Sequence, residues 1–241
     1  NMKVIKFGGT SVGTPESILK VKSIISSMTE STIVVVSAMS GVTDGLIDTA
    51  RKAESGDETF RDSLREIRRR HHEACDRLGV GVAVKERINV LLDQLDRICE
   101  GVFLLKVLPA KALCEIVSFG ERLSSAIISE AIPGSVLHDS LRFIKTFSER
   151  GQYLVDRALT DRLIKDEFKG YDSSSGIAIV PAFISSDAVT GEITNLGRGG
   201  SDYTVSLIAA FLDASVLEIW TDVDGFMSAD PKDIKNAYVI D

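Results

Sequence analysis

The sequence predicts an α/β fold in which helices cover both faces of a mainly parallel sheet. Strand and helix signals alternate along the chain, which is the pattern of β-α units in a parallel sheet. Residues 33–36 form an unbroken β-branched run, typical of a strand that is buried on both faces. Similar runs at 177–180 and 216–220 predict further core strands, although Glu218 interrupts the second of these.

Helices are expected between the strands. After a first strand at residues 4–7, Pro15 stands where a first helical residue would, and apolar residues follow at helical spacing as far as Met28. Apolar stripes at 88–102 and 123–127 predict a helical middle region. Turn residues within 183–195 indicate a β-hairpin, and a last amphipathic helix is expected to begin near Asp202.

Composition indicates a globular domain with a sizeable core. The chain has 241 residues, 44% of them hydrophobic, and a net charge of −7. The negative charge disfavours non-specific nucleic-acid binding, and no apolar run approaches the length of a membrane span. Three widely spaced cysteines without a CxxC pair are interpreted as reduced thiols of a cytoplasmic protein.

A basic cluster occupies residues 61–72. Its arginines alternate with Glu66 and Glu73 at helical pairing distance, so a solvated helix face is the favoured interpretation. A nucleic-acid site is less favoured, because interleaved aromatic residues are lacking. His71 and His72 have no acidic or cysteine partner at ligand spacing, so no metal site is predicted.

The first segment with chemical content is KFGGTSVG at residues 6–13. Gly8 and Gly9 lie between a strand and a helix start, where the backbone can approach a ligand and N–H groups suit phosphate. The segment is not a Walker A loop, because Lys6 precedes the glycines. Lys6 could still reach a γ-phosphate as a point charge.

The second segment, SAMSGVTD at residues 37–44, follows the buried strand at 33–36. Carboxyl ends of strands are where open α/β sheets bind ligands, so Ser37 and Thr43 could donate hydrogen bonds to a substrate carboxylate. Helix capping by Thr43 or Asp44 is the competing explanation.

A third segment, SFGER at residues 118–122, lies in the predicted helical region. Ser118 and Glu121 share a helix face, and Gly120 inside a helix suggests close approach by another group. A buried Glu121 could hold a substrate ammonium. An exposed Glu–Arg surface is the alternative.

Two further segments lie near the carboxyl end. LGRGGSD at 196–202 resembles an anion-binding helix start, in which Arg198 offers a bidentate fork for a carboxylate. Asp202 fits either as a helix cap or as a partner that orients Lys6. TDVDGF at 221–226 begins at a strand end, where its aspartates could contact ribose or metal-bound phosphate, or could simply form turns.

Taken in order, the five segments resemble the amino acid kinase family and, within it, the aspartate kinases. The matching blocks are KFGGTSV, SAMSGVTD, SFGE, GRGGSDYT, and TDVDG followed by ADP. They extend from Lys6 to Pro231. The SFGE block separates aspartate kinases from relatives that act on uridylate, glutamate or acetylglutamate.

The resemblance implies a three-layer α/β/α sandwich with a central, mainly parallel sheet. The implied activity is transfer of the γ-phosphoryl group of ATP to the side-chain carboxylate of L-aspartate. The nucleotide brings Mg²⁺ with it, and no protein metal site is expected. A cytoplasmic enzyme without nucleic-acid or membrane partners is implied, and a helical face could support a homodimer.

The resemblance also implies roles for the motif residues. Lys6 and Asp202 form the catalytic pair. The phosphate-binding set is Lys6, Gly8, Gly9, Gly199, Gly200 and Ser201. The aspartate-binding set is Ser37, Thr43, Glu121 and Arg198, with Glu121 on the ammonium and Arg198 on a carboxylate. The nucleotide border is Thr221, Asp222, Phe226 and Met227, where Met227 stands in place of the family's usual aromatic residue.

Two alternatives stay open, a kinase of another small amino acid and a binding module without catalysis. The family's catalytic domain continues beyond Asp241 and is followed by regulatory ACT domains. Residues 1–241 are therefore expected to be one catalytic domain that is truncated at its carboxyl end, folded but nearly inactive alone. Asn1, which precedes Met2, is interpreted as a remnant of cloning.

Overall fold

The computed structural model describes residues 2–222 and 225–229, with side chains from Met2 to Thr221. Within this part of the chain the strands are β1 (Met2–Phe7), β2 (Ser31–Val36), β3 (Ser135–Leu137), β4 (Lys145–Glu149), β5 (Gln152–Val155), β6 (Ile177–Pro181), β7 (Ile184–Asp187), β8 (Ile193–Asn195), β9 (Val216–Asp222) and β10 (Gly225–Ala229). The helices are α1 (Pro15–Ser26), α2 (Val42–Glu54), α3 (Phe60–Leu78), α4 (Val82–Leu105), α5 (Ala110–Ala131), α6 (Arg157–Glu167) and α7 (Gly200–Phe211).

A six-stranded sheet forms the centre of the protein, in the order β10-β9-β1-β2-β6-β3. Neighbouring strands pair in parallel except β10, which runs antiparallel to β9. Lys6 pairs in register with Val35 on one side and Ile219 on the other, so β1, β2 and β9 end at the same edge. The predicted α/β fold with a mainly parallel sheet is confirmed.

Alternating side chains of the sheet build an apolar layer on each face. Ile5 and Phe7 pack with residues of α1 and α5 on one face. Val4 and Val35 pack with residues of α6 and α7 on the other. Strand β2 is buried along its whole length, as its β-branched run predicts. The three-layer arrangement follows from this burial of both faces.

Helices α2 to α5 pack around a separate apolar core beside the sandwich. The predicted helical middle region is thus confirmed, and Cys75, Cys99 and Cys114 are free and buried. Two predicted boundaries shift: α1 ends at Ser26, before Met28, and α7 begins at Gly200 instead of near Asp202. None of the helices in the described residues combines the length and apolar character needed to cross a bilayer.

A second, four-stranded sheet has the order β5-β4-β7-β8. It contains the predicted hairpin, with β7 antiparallel to β8. Strands β4 and β5 escaped the sequence analysis, because they are short and largely exposed and so carry no buried apolar run. This sheet lies against α5 through β8 and delivers the chain to the start of α7.

Candidate active site

Lys6 and Asp202 meet at the carboxyl end of β1. Successive side chains of a strand alternate between faces, so Lys6 lies on the same face as Val4, the face that α7 covers. Its Nζ is 2.9 Å from Oδ1 of Asp202 in the first turn of α7, an ion pair whose angles are not those of a well-directed hydrogen bond. Gly199, with φ of 72°, is the N-cap, so Asp202 is not a helix cap.

The loop after β1 turns sharply on Gly8. The backbone N–H groups of Ser11 and Val12 donate to the Gly8 carbonyl, and Gly8 itself donates to the carbonyl of Trp220 on β9. A Cβ on Gly13 would lie 3.0 Å from the Gly9 carbonyl and 3.0 Å from the Cβ of Ser40. Glycine at this position therefore lets the loop pack closely against the loop after β2.

The loop after β2 carries Ser37 and leads into α2. Helix α2 has Gly41 as its N-cap and no side-chain cap, so the capping interpretation of Thr43 and Asp44 is wrong. Thr43 is half-buried in the first turn of α2. Ser37 lies 3.5 Å from Ser201 between their hydroxyl oxygens, and its carbonyl accepts a hydrogen bond of 2.7 Å from Ser124.

Glu121 is a buried carboxylate on α5, with 3% of its surface exposed. The alternative of an exposed Glu–Arg surface is wrong for this residue. Its Oε2 has no hydrogen-bond partner within the described part of the chain. Burial raises the pKa of Glu121 to about 8, and backbone N–H groups of Glu121 and Ala38 partly offset that rise. A cation bound beside this group would favour its ionised form and pair with it.

The turn that precedes α7 contains three glycines around Arg198. Gly200 packs so closely that a Cβ there would lie 2.8 Å from Cδ2 of Phe183. Arg198 itself is exposed on this turn, and it does not line the cavities described next. The structure thus brings the glycines and Ser201 to the site while Arg198 stays at its edge.

Two adjoining cavities occupy the space between these elements, with volumes of about 270 Å³ and about 360 Å³. Both are lined by Thr43, Glu121 and Ser201. The first is completed by Lys6, Phe183, Gly197, Gly199, Gly200 and Asp202. The second is completed by Gly9, Thr10, Ser37, Ala38, Met39, Ser40 and Gly41. One continuous cleft therefore has a lysine at one end, a buried carboxylate in the middle and serines at the other end.

The predicted nucleotide border is described in part. Thr221 is exposed at the end of β9, and its carbonyl accepts a hydrogen bond of 2.7 Å from the Thr10 hydroxyl. This bond joins the end of β9 to the loop after β1. The side chains of Asp222, Phe226 and Met227 lie outside the described residues.

Arg70 and Ser124 bond the backbone of the loops that form the cleft, and the sequence analysis missed both. Arg70, in the basic cluster, donates to the backbone carbonyls of Gly13 and Ser40, so the solvated-face interpretation is wrong at this position. The missed signal is helical phase, because Arg70 falls between the buried positions Ile67 and Ala74. Arg69 does follow the prediction, since it is exposed and pairs with Glu66 and Glu73 on the same helix. Arg68 does not, because its side chain is 26% exposed and pairs with Asp93 and Asp96 on α4.

The sequence of the chain is similar to those of aspartokinases. Lysine-sensitive aspartokinase 3 of Escherichia coli is 33% identical over 99% of this chain and 53% of its own length. Aspartokinase of Chlamydia muridarum is 34% identical over 99% of this chain and 52% of its own length. The chain thus spans about half the length of these relatives.

Solved structures of an aspartokinase share the fold of this chain. Escherichia coli aspartokinase III in complex with aspartate and ADP superposes with a TM-score of 0.82 at 30% identity, over 91% of this chain and 49% of that one. The same enzyme in complex with lysine and aspartate gives a TM-score of 0.83 over 92% and 49%. A family model described as the amino acid kinase family matches residues 1–241, and the chain therefore belongs to the amino acid kinase family.

Proposed function

We propose that this protein transfers the γ-phosphoryl group of ATP to the side-chain carboxylate of L-aspartate, giving 4-phospho-L-aspartate and ADP. The observation that carries the proposal is Glu121, which lines both cavities and whose buried Oε2 has no hydrogen-bond partner among the residues that the structure describes. An unpaired buried carboxylate is costly unless a cation compensates it. The ammonium group of an amino acid supplies that cation and leaves the substrate carboxylates for the cationic and N–H-rich ends of the cleft.

The phosphate-binding end is assigned to the lysine side of the cleft. Lys6 supplies the positive charge and pairs with Asp202, and both residues line the first cavity. The start of α7 adds unpaired backbone N–H groups and a favourable helix dipole. The set comprises Lys6, Gly8, Gly9, Gly199, Gly200 and Ser201.

The aspartate-binding end is assigned to Ser37, Thr43 and Glu121, with Arg198 as the fourth member. Glu121 and Lys6 line the same cavity, so a short amino acid bound there could meet the ammonium partner and the phosphate side together. Arg198 is exposed and makes no ion pair within the described residues, so its long side chain is available to close over a substrate carboxylate. Thr221, Asp222, Phe226 and Met227 are assigned to the nucleotide border.

The chemistry needs alignment and charge neutralisation more than it needs a base. A side-chain carboxylate of aspartate has a pKa near 3.9, so the nucleophile is already ionised at neutral pH. Its oxygen forms a bond to the γ-phosphorus as the bond to the β,γ-bridging oxygen breaks, and ADP leaves with that electron pair. Lys6 and the backbone N–H groups stabilise the phosphoryl charge during transfer.

Magnesium is proposed to enter with the nucleotide. The hard oxygen donors at the cleft, the Asp202 carboxylate and the Ser201 hydroxyl, suit Mg²⁺, which usually keeps several waters and substrate phosphate oxygens. When bound, the ion supplies further neutralisation of phosphate charge. Residues 1–241 are proposed to belong to a single catalytic domain of a cytoplasmic enzyme that can pair as a homodimer.

Hydroxylamine trapping tests the proposed reaction directly. The full-length protein is incubated with ATP, Mg²⁺ and L-aspartate, and the acyl phosphate is captured as a hydroxamate. The expected result is hydroxamate that depends on all three components, with succinate and glutamate as poor replacements. Equal turnover of succinate, which lacks the ammonium, would show that Glu121 does not read the substrate. Binding of aspartate and ATP without any hydroxamate would favour a binding module instead.

A further inference from the structure

Arg70 reaches from α3 to both loops that form the cleft. Its Nη1 donates a hydrogen bond of 2.7 Å to the carbonyl of Ser40, in the loop after β2. Its Nη2 donates one of 3.1 Å to the carbonyl of Gly13, in the loop after β1. One planar guanidinium group therefore joins two segments that are remote from each other in sequence.

The two loops are in direct contact where Arg70 bridges them. A Cβ on Gly13 would meet the Cβ of Ser40 at 3.0 Å, and one on Gly9 would meet the carbonyl of Ala38 at 3.4 Å. The spacing between the loops is therefore set by glycine contacts on one side and by the guanidinium on the other. A change in either would move the loops relative to each other.

Helix α3 is a firm base for this bridge. Ile67, His71 and Ala74 of α3 are buried on either side of Arg70 along the helix. Two turns beyond Arg70, Arg77 forms an ion pair with Glu16 on α1, the helix that the first loop enters. The guanidinium thus extends from a helix that is fixed by buried residues on either side of Arg70 and by an ion pair with α1.

Arg69, the preceding residue, offers a matched contrast. Its guanidinium lies 2.7 Å from Glu66 and 2.9 Å from Glu73, both on α3 itself, and its side chain is 59% exposed. Exposed ion pairs within one helix contribute little to stability. Replacing Arg69 therefore changes the charge and the side-chain length at the neighbouring position of α3 without removing a contact to either loop.

We propose that Arg70 is a positioning residue that holds the phosphate-binding loop, residues 8–14, in register with the substrate-binding loop, residues 37–41. The inference rests on the function proposed above, in which the first loop carries the phosphoryl group and the second the nucleophile. Arg70 lines neither cavity of the cleft, so it acts through the loops and not on the reacting atoms. Misalignment of about 1 Å between reacting groups can cost about a hundredfold in rate.

The test compares Arg70→Met, Arg70→Lys and the control Arg69→Met in the intact protein. Arg70→Met should lower kcat by about 10- to 100-fold, while the KM values for aspartate and ATP change by less than about threefold. Arg70→Lys should fall between, because an ammonium group lacks the planar fork that reaches both carbonyls. Amide hydrogen exchange in residues 8–14 and 37–41 should be faster in Arg70→Met than in Arg69→Met.

Two results would overturn the inference. One is a kcat for Arg70→Met equal to that of Arg69→Met. The other is unchanged exchange in both loops, even if activity falls. If Arg70→Met does not fold, Arg70→Lys decides, and full activity with unchanged exchange would reject the role. Failure of the proposed function shows differently, as a lack of hydroxamate in the unsubstituted protein, and leaves the exchange comparison intact.

Discussion

Gly120 of α5 and Ala38 of the loop after β2 are in such close contact that a Cβ on Gly120 would lie 2.8 Å from the Cβ of Ala38. Real Cβ atoms do not approach this closely, so the contact requires glycine. Glu121 is the next residue on α5, and the backbone N–H of Ala38 contributes to its electrostatic environment. The position of the buried carboxylate therefore depends on how closely α5 packs against this loop.

The substitution Gly120→Ala tests this dependence. The added methyl group must push α5 away from Ala38 and from Leu46, whose Cδ1 would be at 3.5 Å. Overpacking of this kind costs about 1–3 kcal/mol, against a gain in helix propensity of about 1 kcal/mol. We expect lower stability in urea titration and aspartate binding weakened several-fold in calorimetry, because Glu121 moves with the helix.

Gly101→Ala in α4 is the matched control. A Cβ at Gly101 would meet no described atom within 4 Å, so the gain in helix propensity is not opposed there. This variant should be more stable by about 0.5–1 kcal/mol and should bind aspartate normally. If both glycine variants gained stability and kept their affinity, the contact between Gly120 and Ala38 would not control the site.

Local sequence patterns predicted much of the fold. The β-branched run at 33–36 identifies β2, and Pro15 identifies the start of α1, because each depends on neighbouring residues alone. Gly120 within a helix pointed to a close contact, but the partner, Ala38, comes from a loop far away in sequence. A single sequence carries no information on which distant backbone fills that space.

The parts that escaped prediction depend on tertiary placement. Thr43 resembles a helix cap, yet Gly41 takes the cap position because its φ of 80° turns the chain into α2. Arg70 resembles its exposed neighbours in composition, and its contacts arise from the packing of α3 beside two strand-end loops. Arg198 has the chemistry of a carboxylate ligand but lies on an exposed turn. A sequence pattern shows the type of a residue and the helix face on which it lies. The cap of α2, the contacts of Arg70 and the exposure of Arg198 depend on how the elements pack together.

Lys6→Met is expected to lower kcat by about 10²–10³-fold, with a much smaller change in the KM for aspartate. Lys6 is proposed to meet the phosphoryl charge that develops in the transition state, so its loss affects the chemical step most. Lys3→Met is the control, since Lys3 lies on the same strand but pairs with Glu30 and Glu218 away from the cleft. Steady-state kinetics on equal amounts of folded protein make the comparison, and a near-normal kcat for Lys6→Met would remove Lys6 from the mechanism.

Glu121 should make the stability of the ligand-free protein fall as pH rises. Its pKa is about 8 in the folded protein, against about 4.5 ordinarily, so the folded state holds a proton that the unfolded chain releases between these values. The stability associated with that proton is fully present below about pH 4.5 and is lost as pH approaches 8. Glu121→Gln should remove this dependence and be more stable by about 1–3 kcal/mol at pH 8.

Urea unfolding of both proteins at pH 5 and pH 8 measures the effect. All other titrating groups are shared, so the change in the difference between the two proteins isolates Glu121. The gap should widen from pH 5 to pH 8. A gap that is the same at both values would mean that the carboxyl group titrates normally in the folded protein.

Aspartate binding should release a proton from Glu121 near neutral pH. With a pKa of about 8, the carboxyl group is mostly protonated at pH 7, and an ammonium ion favours its ionised form. The affinity for aspartate should therefore rise by up to about tenfold per pH unit below 8 and level off above it.

Calorimetry at pH 7 in buffers of different ionisation enthalpy should show nearly one proton released per aspartate. Glu121→Gln should bind aspartate weakly and release no proton, while its ATP affinity stays close to that of the unsubstituted protein. Aspartate binding without proton release in the unsubstituted protein would mean that the substrate ammonium does not lie beside Glu121. A buried ammonium beside a carboxyl group that stays neutral would be an unpaired charge, which is costly.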